Sequence, residues 1–320
     1  MFDNNPVKVT IGREDDRLNP LCNPDPYMIE HEGVYYCYST GWHGVNVLRS
    51  TDLTTFEHMG LAFSHPEKRN YWAPAVFYYN GLFYMYYSCM HKDSDDPHTQ
   101  CLQVAVSDNP LGPFEYKKTF MEEFSIDPHV VEQNGELYIF YTPINMEIER
   151  IGVVIVVDKL LDPFTLEGKP RLVVKPTIDQ EIFIPNRQPY NRDWYTIEGG
   201  FYFEHDGVGF LMYSGNAFMH SDYFVGYSTC DASLPLSEAE FTKYPDNNTY
   251  SPLIGHDEFC NGCGHNSIIK GPNGEWLIVY HGRSVSEAKI GYSNGDDGRR
   301  LCISEVRISG KKLEVVKWQR

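Results

Sequence analysis

Five short stretches of this chain share one pattern. A turn dipeptide ending in glycine is followed by a run of aromatic and aliphatic residues. The dipeptides are Glu32-Gly33, Asn80-Gly81, Asn134-Gly135, Asp206-Gly207 and Asn273-Gly274. The runs are VYYCYST, LFYMYYS, ELYIFYT, VGFLMYSG and EWLIVYHG. Asn-Gly and Asp-Gly supply the positive φ that a tight hairpin requires, and aromatic and β-branched runs suit strands. Partial alternation of apolar and polar positions predicts half-buried sheet. A second strand is expected after each run: VNVLRSTD, LQVAVSDN, IGVVIVVDK, YFVGYSTCD and AKIGYSNG. The first three reach an acid and a later aromatic, Asp52 with Phe56, Asp108 with Phe114 and Asp158 with Phe164. That pairing suits a turn into an outer strand. No window keeps an apolar period of 3.6 over a dozen residues. SLPLSEAEFTKY (233–244) is the stretch with room for one helical turn.

The turn glycines are 48, 54, 72 and 67 residues apart, and 320 residues divided among five units gives 64 each. That is the size of a four-stranded antiparallel blade with its loops. The expected fold is therefore all-β, a single five-bladed β-propeller over residues 1–320, whose closed ring protects its sheet edges. A β-sandwich has similar strands and turns, but five matched repeats favour radial repetition.

Composition narrows the partners. The 27 basic and 44 acidic residues give a net charge of −17. Such a chain lacks the basic footprint that nucleic acid or anionic lipid requires, so a neutral substrate fits better. No apolar run approaches the ~18 residues that span a bilayer. Met1 to Thr10 holds one Lys and no apolar stretch, so no secretory signal is expected there. Eight cysteines are too sparse for a disulfide scaffold and read as buried thiols, with a cytoplasmic address expected.

Candidate chemistry lies upstream of each turn glycine. Asp25 precedes Gly33 by 8 residues, Trp72 precedes Gly81 by 9, and Asp127 precedes Gly135 by 8. Glu198 precedes Gly207 by 9, and His265 precedes Gly274 by 9. In a propeller these residues occupy corresponding places on the innermost strands, one per blade, around the channel mouth. Each alone has an ordinary explanation. Asp-Pro is turn chemistry, Glu198 beside two glycines suits a solvated loop, and His265 suits a satisfied core histidine. The shared register is what makes them a set. Carboxylates crowded at one opening cannot all ionise freely, so at least one pKa rises. A raised carboxyl can donate a proton while another acts as base, the pairing that glycosidic cleavage needs. Trp72 offers an apolar face to a sugar.

The ordered set NPDPY, YWAPAVFYYNG, SIDPH, EGG and GHNS resembles glycoside hydrolase family 43 over roughly residues 20–308. The resemblance implies a five-bladed propeller acting by inversion on arabinose- and xylose-containing polysaccharides. It implies Asp25 as general base, Glu198 as general acid, and Asp127 as the residue that raises the pKa of Glu198 and positions it. His265 corresponds to a channel histidine that often sits near a hydrated calcium or other ion at the axis, a structural Ca²⁺ not required for the chemistry. Arg299, four residues before Ile303 in GRRLCIS, corresponds to a sugar-contacting arginine, with Arg300 the weaker choice. One departure is Glu198-Gly199-Gly200, where many members have proline third. Retaining five-bladed relatives such as the invertases carry Asn-Asp-Pro-Asn, Arg-Asp-Pro and Glu-Cys, which this chain lacks.

Other signals are weaker. Cys260-Asn-Gly-Cys263 has metal or redox spacing, but structural zinc usually takes four ligands, and a tight turn with two thiols is the plainer reading. HKDSDDPH (91–98) lacks the order of a calcium loop and reads as a solvated loop near the rim. Asn247-Asn248-Thr249 is a glycosylation sequon, relevant only to a secreted chain. No Gly-rich phosphate loop precedes a helix. Trp42, His43, Trp194, Asn216, Phe218 and His220 flank predicted strands and suit sugar contacts or loop packing equally. The function expected is release of terminal arabinofuranosyl or xylosyl residues from hemicellulose oligosaccharides. The rivals are a non-catalytic sugar-binding propeller, in which amides would bind sugar at less desolvation cost than carboxylates, and a protein-interaction propeller.

Overall fold

The computed structural model describes residues 5–12, 21–258, 260–285 and 297–316. It is built almost entirely of strands in five blades around an axis. The first blade runs outward through Tyr27–His31, Val34–Ser39, Val45–Ser50 and Thr55–Phe63. The second comprises Lys68–Tyr79, Leu82–His91, Cys101–Ser107 and Glu115–Thr119. The third comprises Ser125–Gln133, Glu136–Asn145 and Ile155–Asp162, with the short outer strands Thr165–Leu166 and Arg171–Val174. The fourth comprises Arg192–His205, Val208–Gly215, Phe224–Asp231 and Thr242–Lys243. The fifth comprises Cys260–Lys270, Trp276–Ser284, Arg300–Ser309 and Lys312–Val316.

The turn glycines behave as the sequence predicts. In the first four blades the hairpin closes with two residues, both at positive φ, as in Asn80 at 49° and Gly81 at 84°. A Cβ on Gly81 would meet nothing within 4 Å, so conformation rather than space requires glycine there. The fifth hairpin is longer, from Lys270 to Trp276.

Packing closes the ring. The core divides into five apolar wedges, one between each pair of neighbouring blades, including the fifth and the first. In the second blade Phe83, Met85 and Tyr87 face the first blade, while Tyr84 and Tyr86 face the third. In the third, Leu137, Ile139 and Tyr141 face the second blade, while Tyr138 and Phe140 face the fourth. The middle strands are thus buried on both faces. This corrects the half-buried expectation and explains why their sequences read as nearly continuous apolar runs. Each such side chain contributes about 1.5–3 kcal/mol by leaving water. A ring of wedges also excludes the sandwich.

One detail differs from expectation. AKIGYSNG lies outside the described residues, and the third strand of the fifth blade is Arg300–Ser309. The stretch 233–244 holds the single helical turn expected, with the Ala239 N–H donating to the Pro235 carbonyl at 2.9 Å. An N-terminal strand, Lys8–Ile11, pairs in parallel with Thr55–Phe63. Just before it the Val7 N–H donates to the Leu301 carbonyl at 3.0 Å, so this segment ties the fifth blade to the first.

Candidate active site

Four of the five innermost strands carry a β-bulge near the cavity end, where the register to the second strand shifts. Each blade has a left-handed residue there, Asp25 (φ 52°), Ala73 (39°), Asp127 (56°), Gly199 (65°) and His265 (45°), and Asn70 (56°) and Gly262 (57°) are left-handed too, three residues earlier on their strands. The corresponding positions are therefore these five. Trp72 and Glu198 sit one residue earlier, which accounts for their spacing of 9 rather than 8 from the turn glycine. His265 stands at 9 because its hairpin is longer. A bulge breaks the ladder and re-aims side chains. Left-handed backbone costs about 1–3 kcal/mol for most residues, so the surroundings must hold it.

They do so in one direction round the ring. The His281 ring of blade five accepts from the Asp25 N–H of blade one at 3.1 Å. Thr40, following a strand of blade one, accepts from Ala73 N–H of blade two at 2.8 Å. Asp127 of blade three accepts from Gly199 N–H of blade four at 3.0 Å, and Ser214 of blade four accepts from His265 N–H of blade five at 2.8 Å. In each case a side chain of the preceding blade replaces the lost ladder bond.

All six candidate residues, Asp25, Trp72, Asp127, Glu198, His265 and Arg299, line one cavity of about 560 Å³. Asp25 is held on both oxygens. Thr40 Oγ1 donates to Oδ2 at 2.6 Å and Arg299 Nη1 donates to Oδ1 at 3.0 Å. Arg299 also donates through Nε to Asp297 at 2.7 Å, and its guanidinium stacks on Phe218 at 4.9 Å. Arg300 instead reaches toward the Leu21 carbonyl and does not line the cavity. Glu198 accepts from the Tyr223 hydroxyl at 2.7 Å. Burial pushes the Glu198 carboxyl up to about 7, helped by the charge of Asp25 and opposed by Tyr223 and Arg299. Burial and the neighbouring carboxylates of Glu198 and Asp25 also push Asp127 well above the usual carboxylate range. His265 Nδ1 lies 3.4 Å from Asp25 Oδ1, and burial lowers its pKa, which favours the neutral ring. Its ring lies over Gly199, where a Cβ would come within 3.3 Å, so a side chain at that position would crowd it. Trp72 lines the wall with its indole N–H donating to Asn70 at 2.7 Å.

The loop residues divide. Trp42, His43, Trp194 and Phe218 line the cavity. Asn216 and His220 bond to each other beside it, at 3.2 Å. HKDSDDPH brings Pro97 and His98 to the rim. Thr40, Tyr223 and His281 were not singled out from sequence. Thr40 and Tyr223 lie in loops with no local signature, whereas His281 is a histidine inside an otherwise apolar strand run, a signal that was there to read.

Cys260 and Cys263 are buried in the fifth blade with their sulfurs 3.0 Å apart. No group of three or more metal-binding side chains occurs among the described residues. The axial space beneath Asp127, His265 and Asn266 is about 10 Å³, room for about one water centre. No step below is routed through an ion.

The chain has been compared with known proteins. A family model described as Glycosyl hydrolases family 43 matches residues 18–311. The chain is 24 % identical over 312 residues to an extracellular exo-α-(1→5)-L-arabinofuranosidase of Streptomyces avermitilis. That match covers 90 % of this chain and 60 % of the Streptomyces protein, so the chain spans about three-fifths of that relative's length. A solved thermostable family-43 glycoside hydrolase is 30 % identical with a TM-score of 0.76, covering 97 % of this chain and 95 % of that one. An α-L-arabinofuranosidase from Lactobacillus brevis shares the fold at 22 % identity and a TM-score of 0.76, covering 95 % of this chain and 98 % of that one. With the family model matching nearly the whole described propeller, the chain belongs to glycosyl hydrolases family 43.

Proposed function

We propose that this protein is an inverting glycoside hydrolase releasing terminal arabinofuranosyl or xylosyl residues from hemicellulose-derived oligosaccharides. One observation carries the reading. Two carboxyls of one cavity stand in opposite environments, Glu198 pushed up to about 7 by burial and Asp25 bonded to a guanidinium. That contrast supports Glu198 as the acid and Asp25 as the base.

Asp25 takes a proton from water, whose oxygen attacks the anomeric carbon. The glycosidic C–O bond breaks, and its oxygen takes the proton from Glu198. Arg299 supplies the counter-charge to Asp25, and Thr40 fixes its orientation. Asp127 holds the Gly199 peptide next to the acid; contrary to expectation, the charge that raises Glu198 is that of Asp25, because Asp127 is itself pushed well above the usual carboxylate range. Trp72 offers its ring to the sugar. The eight free, buried cysteines support a cytoplasmic address, and with it short oligosaccharides rather than intact polymer. The arabinofuranosidase name of the Streptomyces relative supports arabinose as the released sugar.

The test is hydrolysis of nitrophenyl α-L-arabinofuranoside and β-D-xyloside and of a natural arabinoxylo-oligosaccharide, with the product anomer followed by NMR. Initial release of the inverted anomer is expected. A retained anomer would remove the base role from Asp25, and inertness on every substrate would leave a sugar-binding propeller.

A further inference from the structure

The cavity is lined by two guanidiniums, and they differ. Arg299 is neutralised by Asp25 and Asp297. Arg187 is ion-paired to no carboxylate among the described residues, in a chain of net charge −17. It ends the edge strand Ile182–Arg187, which pairs with Arg192–His205. Its guanidinium lies over Trp194, 4.2 Å from the ring centroid. Arg187 Nη2 donates to His98 Nε2 at 2.9 Å, and His98 Nδ1 in turn bonds Asp96 at 2.7 Å. Asp96 thereby fixes the tautomer that accepts from the arginine. A guanidinium held by an aromatic face and an imidazole is rigid, yet most of its five donors remain available.

Its position indicates what it meets. Trp194, Thr196 and Glu198 alternate along one strand and all line the cavity. At about 3.3 Å per residue, Trp194 lies roughly 13 Å from the acid along the strand. This row leads outward from the carboxyl that protonates the leaving oxygen, so it follows the leaving portion of the substrate.

We infer that Arg187, stacked on Trp194, forms a subsite for a carboxylate-bearing sugar, a uronic acid branch on the leaving side of the oligosaccharide. This rests on the glycosidase reading for the direction of the substrate. A uronate carboxylate matches the planar fork of the guanidinium.

The experiment is a calorimetric titration of Glu198→Gln protein, which prevents turnover, with two arabinose-bearing xylo-oligosaccharides of equal length. One carries a glucuronosyl branch and the other none. The branched oligosaccharide should bind about tenfold more tightly, and the advantage should shrink as salt is raised. Adding Arg187→Met should abolish the advantage by weakening the branched oligosaccharide far more than the neutral one, and Arg187→Lys should keep part of it. Equal affinities in the Arg187 protein, or an advantage that survives Arg187→Met, would overturn the inference. Failure of the glycosidase reading would show separately, as absence of turnover of either oligosaccharide by wild type.

Discussion

The two ends of each inner hairpin teach opposite lessons. At the turn end, all five blades carry glycine, at φ between 78° and 84°. At the cavity end, the corresponding left-handed position is held by Asp25, Ala73, Asp127, Gly199 and His265, five different residues. Both ends demand unusual backbone. At the turn, solvent surrounds the strain and only glycine relieves it. At the cavity, a side chain from the preceding blade holds it in four of the five blades. The position is then released from glycine and can carry chemistry. Repetition builds the scaffold, and the site is made where the repeat is allowed to vary.

This contrast can be tested by perturbing each end. The largest effect on turnover is expected from Asp25→Ala, a loss of about 10²–10⁴-fold, measured on a natural oligosaccharide. The melting temperature should change far less than turnover does. The largest effect on stability should come from Phe140→Ala, in the wedge between the third and fourth blades. A loss of about 3–5 kcal/mol in denaturant titration is expected, with kcat kept by the folded fraction. A Phe140→Ala protein as stable as wild type would break the claim that the wedges hold the ring.

The next effect concerns pH. Glu198 must hold its proton to act as acid, so turnover should fall as pH rises through about 7. The Tyr223 bond lowers Glu198's pKa, so Tyr223→Phe should move this alkaline limb upward while reducing kcat about threefold. A limb unmoved in that variant would mean that Glu198 is not the group being titrated. The same raised pKa makes the native state the stronger proton binder between about 4.5 and 7. Its contribution to stability therefore falls as pH rises through that window. Glu198→Gln should relieve the loss, raising stability above pH 7 by about 1–2 kcal/mol and leaving it little changed below pH 4.5. The smallest effect is expected at a turn. Gly81→Ala should cost about 1 kcal/mol, because alanine resists φ of 84°, with kinetic constants unchanged.

The sequence made some of this legible because the relevant physics is local. Asn80-Gly81 and its counterparts announce hairpins within a few residues, and five of them at blade spacing announce the ring. The unequal spacings of 8 and 9 also held a message, since they separate Trp72 and Glu198 from the left-handed positions that follow them. What stayed hidden depends on distant parts of the chain. Tyr223 reaches Glu198 across 25 residues, and Thr40 reaches Ala73 across 33. Gly152–Val153 pairs with both Glu136–Asn145 and Arg192–His205 and so bridges the third and fourth blades, a role that no two-residue strand declares. The apolar runs misled for a related reason. Burial on both faces comes from neighbouring blades, which a single strand's periodicity does not contain.

The seam between the first and fifth blades carries a further consequence. Asp25 takes its backbone partner from His281 and its guanidinium from Arg299, residues 256 and 274 positions further along the chain. A growing polypeptide that has finished four blades already holds Glu198, Asp127 and Trp72, yet its Asp25 has neither partner. The fifth blade completes the first residue of the site. Under the proposed function, hydrolytic competence arrives with closure itself, and sugar turnover during refolding would serve as a clock for the moment the circle shuts.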